Sequence, residues 1–249
     1  MQTELVELKR FKPSDELTVI EVAPSVGVIG LLLANILVES LESEKVAEVY
    51  SPYFPQVSVV NNEGVSSLPK IEIYALHPKK GKDIVLISRN FPIEGTTEGA
   101  EVSSLIFNYL HGLGQGELVT ITSGRVTGTG DVFAASNSIE QSRQLVKFGA
   151  KIAPSIDNLP LDKLSSSLML NYMISSRPVY LIISDTTSYV PDLMLVKKTL
   201  SVLTNFLKIE VDTTKLDQEI KHQQELLEEF TKSMSEPGRG TGLPPSYIG

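Results

Sequence analysis

The hydrophobic pattern of the first 210 residues switches repeatedly between a strand-like and a helix-like period, which predicts alternating β-strands and α-helices. Short apolar or alternating runs predict strands at residues 17–22, 46–50, 56–60, 71–76, 84–87, 118–122, 131–135 and 179–183. Longer stretches with apolar residues at helical spacing predict helices at residues 28–42, 97–112, 138–148 and 161–174, and a further helix that opens at Pro191. Because no linker rich in Pro, Gly and Ser interrupts this alternation, we expect one three-layer α/β/α domain over residues 1–212, with a mixed, mostly parallel central sheet.

A charged helix is predicted beyond this core, over residues 213–234. Its apolar residues follow steps of four and three along three heptads, with Gln223 in the one polar seam position, and are Leu216, Ile220, Leu227, Phe230 and Met234. Such a stripe either forms a seam with helices of other copies or packs on its own domain, and both alternatives stay open. The first alternative predicts an oligomerisation helix and a homo-oligomer.

The segment that follows, residues 235–249, contains four glycines and three prolines. This composition predicts a flexible tail without regular structure. The tail carries the apolar side chains of Tyr247 and Ile248. We expect it to present these side chains to a partner.

The composition excludes several classes of function. The sequence has 22 basic and 30 acidic residues, a net charge of −8, and its densest basic group is the three lysines of Lys79–Lys82. Binding to nucleic-acid backbones is therefore not expected. The sequence has no cysteine, which excludes disulfides and thiolate metal sites, and its three histidines are far apart. We expect neither a metal nor a cofactor.

Insertion into a membrane is not expected either. The longest apolar stretch, Val26–Val38, is interrupted by Gly30 and Asn35 and is shorter than the ~20 residues that span a bilayer. The first residues lack the charged-then-apolar pattern of a signal peptide. These features predict a cytoplasmic protein.

Two glycine-containing turns are candidates for ligand binding, and the first contains Gly27 and Gly30. These glycines lie between a predicted strand and a buried helix, where nucleotide-binding turns lie in related folds. Ser25, however, occupies the position of the first glycine of that fingerprint. Close packing of the helix on the strand explains both glycines without a ligand, and we favour this interpretation.

The loop from Gly124 to Gly130 is the stronger candidate. Backbone amides freed by glycine can bind an anion together with polar side chains, and the candidate residues are Gly124, Arg125, Thr127, Gly128 and Gly130. The loop is not a P-loop, because it lacks the Gly-Lys-Ser/Thr ending. A mobile or subunit-facing loop is the alternative, and the more probable of the two.

Candidates for catalysis are lacking. The sequence contains no Gly-x-Ser-x-Gly elbow and no histidine near a suitable serine and carboxylate. Since no nucleophile, base and orienting group can be assembled, we predict no catalytic residues and no enzymatic turnover.

Five segments match, in their order and spacing, the motifs of a known protein family. They are the glycine turn at 24–30 that leads into 31–41, the Val-Ala-Glu-Val-Tyr-Ser-Pro-Tyr-Phe-Pro run at 46–55, the strand-to-glycine turn at 118–124, the Pro-Asp helix entry at 189–192, and the Asp-then-Leu helix entry at 211–216. With these segments, nearly the whole chain resembles the archaeal members of the proteasome assembly chaperone family.

The resemblance implies a phosphorylase-like α/β/α fold and oligomers formed with itself or with a paralogous chaperone. It also implies binding to α-subunits of the 20S proteasome through a hydrophobic-Tyr-X tail, which assigns partner binding here to Tyr247, Ile248 and Gly249. The sequence departs from that tail pattern, because Tyr247 is third from the end and follows Ser246. Two alternatives to an assembly chaperone stay open: an ATP-independent activator that caps the proteasome, and a phosphate- or nucleoside-handling enzyme of similar fold.

Overall fold

A computed structural model describes residues 2–13, 17–157, 159 and 161–235 of the protein, without the side chains of residues 115, 227 and 229–235. The strands are β1 (Glu4–Glu7), β2 (Leu17–Val22), β3 (Glu42–Tyr50), β4 (Val59–Val60), β5 (Ser66–Ser67), β6 (Ile71–His77), β7 (Ile84–Ser88), β8 (Gln115–Gly124), β9 (Val132–Ser136), β10 (Lys151–Ile152) and β11 (Val179–Asp185). The helices are α1 (Ile29–Ser40), α2 (Thr96–Gly112), α3 (Ile139–Val146), α4 (Lys163–Ile174), α5 (Leu193–Leu207) and α6 (Thr214–Ser235).

One sheet organises the part of the chain that the structure describes. Nine strands form it in the order β1-β3-β6-β7-β2-β8-β11-β9-β10, and β4 pairs with β5 in a separate hairpin. The four central strands, β7, β2, β8 and β11, are parallel, and antiparallel pairs flank them at β6 and at β9. The predicted mixed sheet is thus confirmed, with its parallel pairs concentrated at the centre.

Helices cover both faces of this sheet. Helices α2 and α4 pack together on one face, while α1 and α5 pack together on the other, with α3 beside α5. Strand β2 shows how the sequence produces this arrangement, since all six of its residues are buried. Leu17 and Val19 belong to the cluster beneath α2 and α4, so the alternate residues Ile20 and Val22 point to the opposite face. The predicted three-layer α/β/α fold is confirmed.

A boundary between Asp212 and Thr213 divides the chain into two compact units. The second unit contains α6, a helix of 22 residues with an ion pair between Lys221 and Glu225 at 3.8 Å. Among the residues that the structure describes, no helix is both long enough and apolar enough to cross a membrane.

The sheet has two edge strands that the sequence pattern did not predict. Strand β1 pairs with β3 and strand β10 pairs with β9, and both strands are short and largely exposed. Polar residues are usual in edge strands, because only one side of such a strand is paired and buried. Because Glu4 and Glu7 are charged, β1 lacks the alternating apolar pattern that predicts a strand.

Several predicted elements differ from the structure. The helix predicted at 28–42 ends at Ser40, and β3 already begins at Glu42, before the strand predicted at 46–50. The strand predicted at 56–60 shrinks to the two exposed residues of β4, because no helix layer covers this hairpin. Helix α5 begins at Leu193 instead of Pro191, because the Asp192 carboxylate caps it by accepting a hydrogen bond from the Leu195 amide at 3.0 Å.

Close packing explains the two glycines of the first turn. A Cβ atom on Gly30 would lie 3.3 Å from the Cβ of Val22 and 3.4 Å from the carbonyl oxygen of Ala23, so this glycine lets α1 approach β2. Gly27 has a φ of +73°, and a Cβ there would lie 3.0 Å from the carbonyl oxygen of Ser188. The geometry supports the packing interpretation over a nucleotide-binding turn.

Helices α2 and α4 meet at Gly99, where there is no space for a side chain. A Cβ atom on Gly99 would lie 2.6 Å from the carbonyl carbon and from the Cβ of Lys163. Gly99→Ala is therefore expected to destabilise the fold by about 1–3 kcal/mol, because overpacking outweighs the better helix propensity of alanine. Urea denaturation measures this free energy.

Gly112 provides a matched control in the same helix. A Cβ atom there would have no neighbour within 4 Å, so Gly112→Ala should be neutral or should stabilise by up to about 1 kcal/mol. Equal effects of the two substitutions would show that α2 and α4 are not in close contact at Gly99.

Candidate functional site

The carboxyl ends of the four parallel strands lie at one edge of the sheet, where open α/β folds usually bind ligands. The loop between β8 and β9 folds at this edge over the end of β11, whose last residue is Asp185. The Asp185 carboxylate accepts hydrogen bonds from the amides of Val126 and Thr129, each at 2.8 Å, and from the Thr127 hydroxyl at 2.8 Å. The loop therefore encloses an anion that belongs to the chain itself.

These hydrogen bonds determine the charge state of Asp185. Burial by itself raises the pKa of this carboxyl, but the donors from Val126, Thr127 and Thr129 outweigh burial and hold the pKa well below its usual range. Asp185 is almost fully buried, with 1% of its surface exposed. It is a charged group satisfied by the protein in place of water.

The predicted anion-loop residues take different positions around Asp185. Gly124 ends β8, Arg125 is exposed, and Thr127 binds the carboxylate. Gly128 and Gly130 have positive φ values of 82° and 69°, which let the loop curve around the carboxylate. An external anion at this loop would have to displace Asp185 or bind through Arg125, and such binding stays a prediction.

A pair of serines joins the first turn to β8. The hydroxyl oxygens of Ser25 and Ser123 lie 2.7 Å apart, and the Ser25 oxygen also accepts a hydrogen bond from the Ser123 amide at 3.1 Å. The Ser123 hydroxyl donates to the carbonyl oxygen of Val26. Ser25, which replaces the first glycine of the nucleotide-binding fingerprint, thus holds two elements of the chain together.

A second charged cluster, which the sequence did not reveal, surrounds Arg89 just after β7. The Arg89 guanidinium donates to both carboxylate oxygens of Asp162, at 2.7 and 2.9 Å, and to the Glu21 carboxylate at 2.9 Å. It also donates to the Phe91 carbonyl oxygen at 2.8 Å and to the Ser165 hydroxyl at 3.0 Å. The side chains of Arg89 and Glu21 expose none of their surface, and that of Asp162 exposes 4%.

This Arg89 cluster ties three elements together. Glu21 lies in β2, Arg89 follows β7, and Asp162 caps α4 by accepting from the Ser165 amide at 3.0 Å. Burial raises the pKa of Glu21, and the opposing attraction of Arg89 does not fully offset it. The lone carboxylate of Glu21 inside the apolar strand Leu17–Val22 is recognisable from the sequence, but its partners are not.

The remaining predicted site residues are only partly described. Leu216 and Ile220 in the α6 seam are buried, while the side chains of Leu227, Phe230 and Met234 lie outside the described residues. Tyr247, Ile248 and Gly249 also lie outside them. Within the described residues, no three His, Asp or Glu side chains group as a metal site would require.

Comparisons with known proteins give a consistent result. A sequence model of the family described as the PAC2 family matches residues 19–231. The chain is 23% identical to a Methanocaldococcus jannaschii protein called uncharacterized protein MJ1210, over 98% of this chain and 96% of the relative.

Two solved structures from Pyrococcus furiosus are similar to this one. The structure of PbaB, described as an archaeal proteasome activator, has a TM-score of 0.78 and 21% identity, and the match covers 92% of this chain and 99% of PbaB. PbaA, described as an archaeal homolog of proteasome-assembly chaperone, gives a TM-score of 0.72 and 20% identity over 94% of this chain and 93% of PbaA. At these identities the likeness establishes a shared fold.

Asp185→Asn is expected to destabilise the protein by about 2–3 kcal/mol at neutral pH, because the amide group presents N–H to the backbone donors of the loop. The folded pKa of Asp185 is depressed, so its contribution is present above the unfolded pKa of about 3.9 and is lost as the pH falls through the folded pKa. Urea unfolding over a pH series should show a constant difference from wild type above about pH 5, which shrinks below about pH 4.

Asp131→Asn is the control for this series. Asp131 lies in the same region but is half-buried, and it binds the Lys151 ammonium and the Thr129 hydroxyl, each at 2.6 Å. Its replacement should cost less than about 1 kcal/mol. A cost equal to that of Asp185→Asn would contradict the special role of the enclosed carboxylate.

Arg89→Met is expected to destabilise by about 3–5 kcal/mol, since it leaves the buried carboxylates of Glu21 and Asp162 without a cation. Glu21→Gln should cost less, because burial already disfavours the charge of Glu21 and glutamine keeps an acceptor for Arg89.

The pH dependence separates these two variants. Because the pKa of Glu21 is raised in the folded state, its contribution to stability is greatest below the unfolded pKa of about 4.3 and falls as the pH rises through the folded pKa. Urea unfolding should therefore show a smaller deficit for Glu21→Gln at pH 7 than at pH 4. A deficit as large as that of Arg89→Met at neutral pH would contradict this account.

Proposed function

The chain belongs to the PAC2 family, and from this premise we propose that it is a non-enzymatic scaffold that binds α-subunits of the 20S proteasome during assembly. In this proposal the α/β core, residues 1–212, is the body of an oligomer. The helix at 213–234 joins subunits through its later seam positions, Leu227, Phe230 and Met234, since Leu216 and Ile220 are already buried within one chain. The segment at 235–249 docks on the proteasome. The partners are thus the proteasome, further copies of the chain, and a paralogous chaperone if one is present.

The internal use of the polar groups at the carboxyl edge of the sheet carries this proposal. The donors of the β8–β9 loop form hydrogen bonds with Asp185. Ser25 forms hydrogen bonds with Ser123, and Arg89 donates to two carboxylates of the chain. An enzyme of this architecture directs such groups at its substrate. Groups committed to the chain itself favour a scaffold.

Two similar proteins of known structure support the choice of partner. PbaB is described as a proteasome activator and PbaA as a homolog of proteasome-assembly chaperone. Both resemble this chain over more than nine-tenths of its length, and we base the proposal of a proteasome partner on these descriptions.

Binding through the docking segment depends on the length of the segment and on the number of segments in one oligomer. The composition of residues 235–249 predicts a flexible arm, and an arm of 15 residues would have a root-mean-square reach of about 20 Å and a stretched limit near 50 Å. Burial of one Tyr and one Ile contributes only a few kcal/mol, which ordering of the arm reduces. One tail should therefore bind weakly, whereas several tails on one oligomer bind well through avidity.

A proteasome-capping activator is the second candidate, and the resemblance to PbaB, with its TM-score of 0.78, favours it. The two candidates differ in the particle that responds. An activator raises the rate at which mature 20S particles hydrolyse a fluorogenic peptide, without ATP. An assembly chaperone leaves that rate unchanged and accelerates the formation of 20S particles from separate α- and β-subunits.

Tyr247→Ala is expected to weaken binding to 20S particles or to α-subunit rings by at least ~10-fold, because each arm of the oligomer loses its aromatic anchor. Immobilised α-subunits with the full chain in solution measure this affinity. Far-UV circular dichroism and light scattering should show an unchanged fold and mass.

Tyr189→Ala serves as the matched control, because Tyr189 exposes 86% of its surface in the loop before α5. Its removal should leave the affinity within ~2-fold of wild type. If the Tyr247→Ala oligomer binds as tightly as wild type, the tail does not dock and the proposal fails.

A further inference from the structure

The segment from Ser51 to Pro69, between β3 and β6, projects an apolar hairpin formed by β4 and β5. Every residue from Pro55 to Leu68 is exposed. Five of its apolar side chains expose more than half of their surface, and they are Val57, Val59, Val60, Val65 and Leu68. Apolar side chains exposed singly are ordinary, but five of them on one short hairpin favour an interaction surface.

The apolar hairpin is internally ordered. The Asn61 side-chain oxygen accepts hydrogen bonds from the amides of Glu63 and Val65, at 3.0 and 2.9 Å, and closes the turn. At the base of the hairpin, the buried ring of Phe54 packs on Phe91 with a centroid distance of 4.8 Å. A surface already held in one conformation loses little entropy on binding.

A cavity of about 390 Å³ lies beside the apolar hairpin. The hairpin and the cavity share residues and form one continuous surface, because the cavity is lined by Tyr50, Phe54, Pro55, Leu68 and Pro69 together with the polar residues Gln2, Glu4, Ser51 and Gln56. A projecting apolar ridge next to a hollow with a partly apolar lining is complementary to a copy of itself turned by a two-fold axis, because each ridge then faces the other hollow.

Charge also selects a second copy as the occupant. The chain carries a net charge of −8, yet the segment Ser51–Pro69 contains a single charged residue, Glu63, and the cavity lining adds one more, Glu4. Two copies therefore approach each other with least repulsion at this surface. Next to the segment, Lys70 pairs with Glu48 and Lys45 pairs with Glu72 within the chain. These charges are balanced internally and favour neither an acidic nor a basic partner.

We propose that the apolar hairpin and its neighbouring cavity form a two-fold self-association surface, on which the hairpin of each copy packs into the cavity of the other. The 19 residues of the segment, with Gln2 and Glu4, which also line the cavity, approach the roughly 20–30 residues that a stable interface uses on each side. The inference rests on the self-association in the proposed function and deepens it, by naming a surface on the α/β core in addition to the α6 seam.

Val60→Asp in the full chain tests this surface. Val60 exposes 62% of its surface, so the change should leave the fold intact, and circular dichroism and the melting temperature check this. Sedimentation equilibrium over a series of concentrations should show the dissociation constant of self-association rising at least ~10-fold, because each interface gains two buried, unpaired charges. Val65→Asp, at 58% exposure, replaces this variant if it fails to fold.

Ile139→Asp is the matched control, since Ile139 exposes 53% of its surface and an acidic residue is favourable at the first position of α3. It makes the same chemical change away from the hairpin and should leave the dissociation constant unchanged. A monomeric wild type, an unchanged Val60→Asp, or an equal loss in Ile139→Asp would each overturn the inference.

Three further outcomes separate this inference from the proposed function. If Leu227→Asp in the α6 seam abolishes self-association and Val60→Asp does not, the hairpin surface is wrong while the proposed scaffold survives. If Val60→Asp dissociates the oligomer but Tyr247→Ala leaves proteasome binding intact, the hairpin surface stands and the docking tail fails. A Val60→Asp oligomer that keeps its mass but no longer binds α-subunits would assign the hairpin to the proteasome and overturn self-association.

Discussion

The pairing of the buried Arg89 guanidinium with two carboxylates is the interaction on which the arrangement of this fold depends. A buried charge is costly unless it is paired and hydrogen-bonded. Asp162 and Glu21 accept from the two terminal nitrogens of Arg89, while its Nε has no hydrogen-bond partner among the described residues. These bonds fix the entry of α4 against β2 and the end of β7. The helix layer formed by α2 and α4 is thereby anchored to the parallel centre of the sheet by polar contacts as well as by apolar packing.

The same constraint governs the rest of the carboxyl edge. The loop after β8 curves through two glycines with positive φ and encloses Asp185, and the turn after β2 is joined to β8 by Ser25 and Ser123. An edge whose charges and hydrogen-bond donors are directed inward is stable and rigid, since little polar surface remains that requires a ligand. For this chain we therefore propose binding on its outer surfaces instead of at the sheet edge.

The net charge of the chain affects which outer surface can contact a second copy. A chain with a net charge of −8 repels its own copies wherever both faces are acidic. The hairpin between β3 and β6 is almost free of charge, is ordered by its own turn, and adjoins the cavity that we propose receives the hairpin of a second copy. Association through such a surface would also bring several docking tails into one particle, which is what a weak individual anchor requires.

Hydrophobic periodicity in the sequence determined the core elements of this protein, because the burial of β2, β7, β8 and β11 on two faces requires continuous apolar runs that can be recognised without coordinates. The glycine loop was also recognisable, since only glycine adopts such turns freely. The partners of its amides were not, because Asp185 lies 58 residues from Thr127, and Arg89 lies 68 residues from Glu21 and 73 from Asp162. Apolar periodicity also could not show that β4 lacks a covering layer. Sequence records which side chains need partners, whereas only the tertiary structure brings distant segments together and decides which needs are met within the chain.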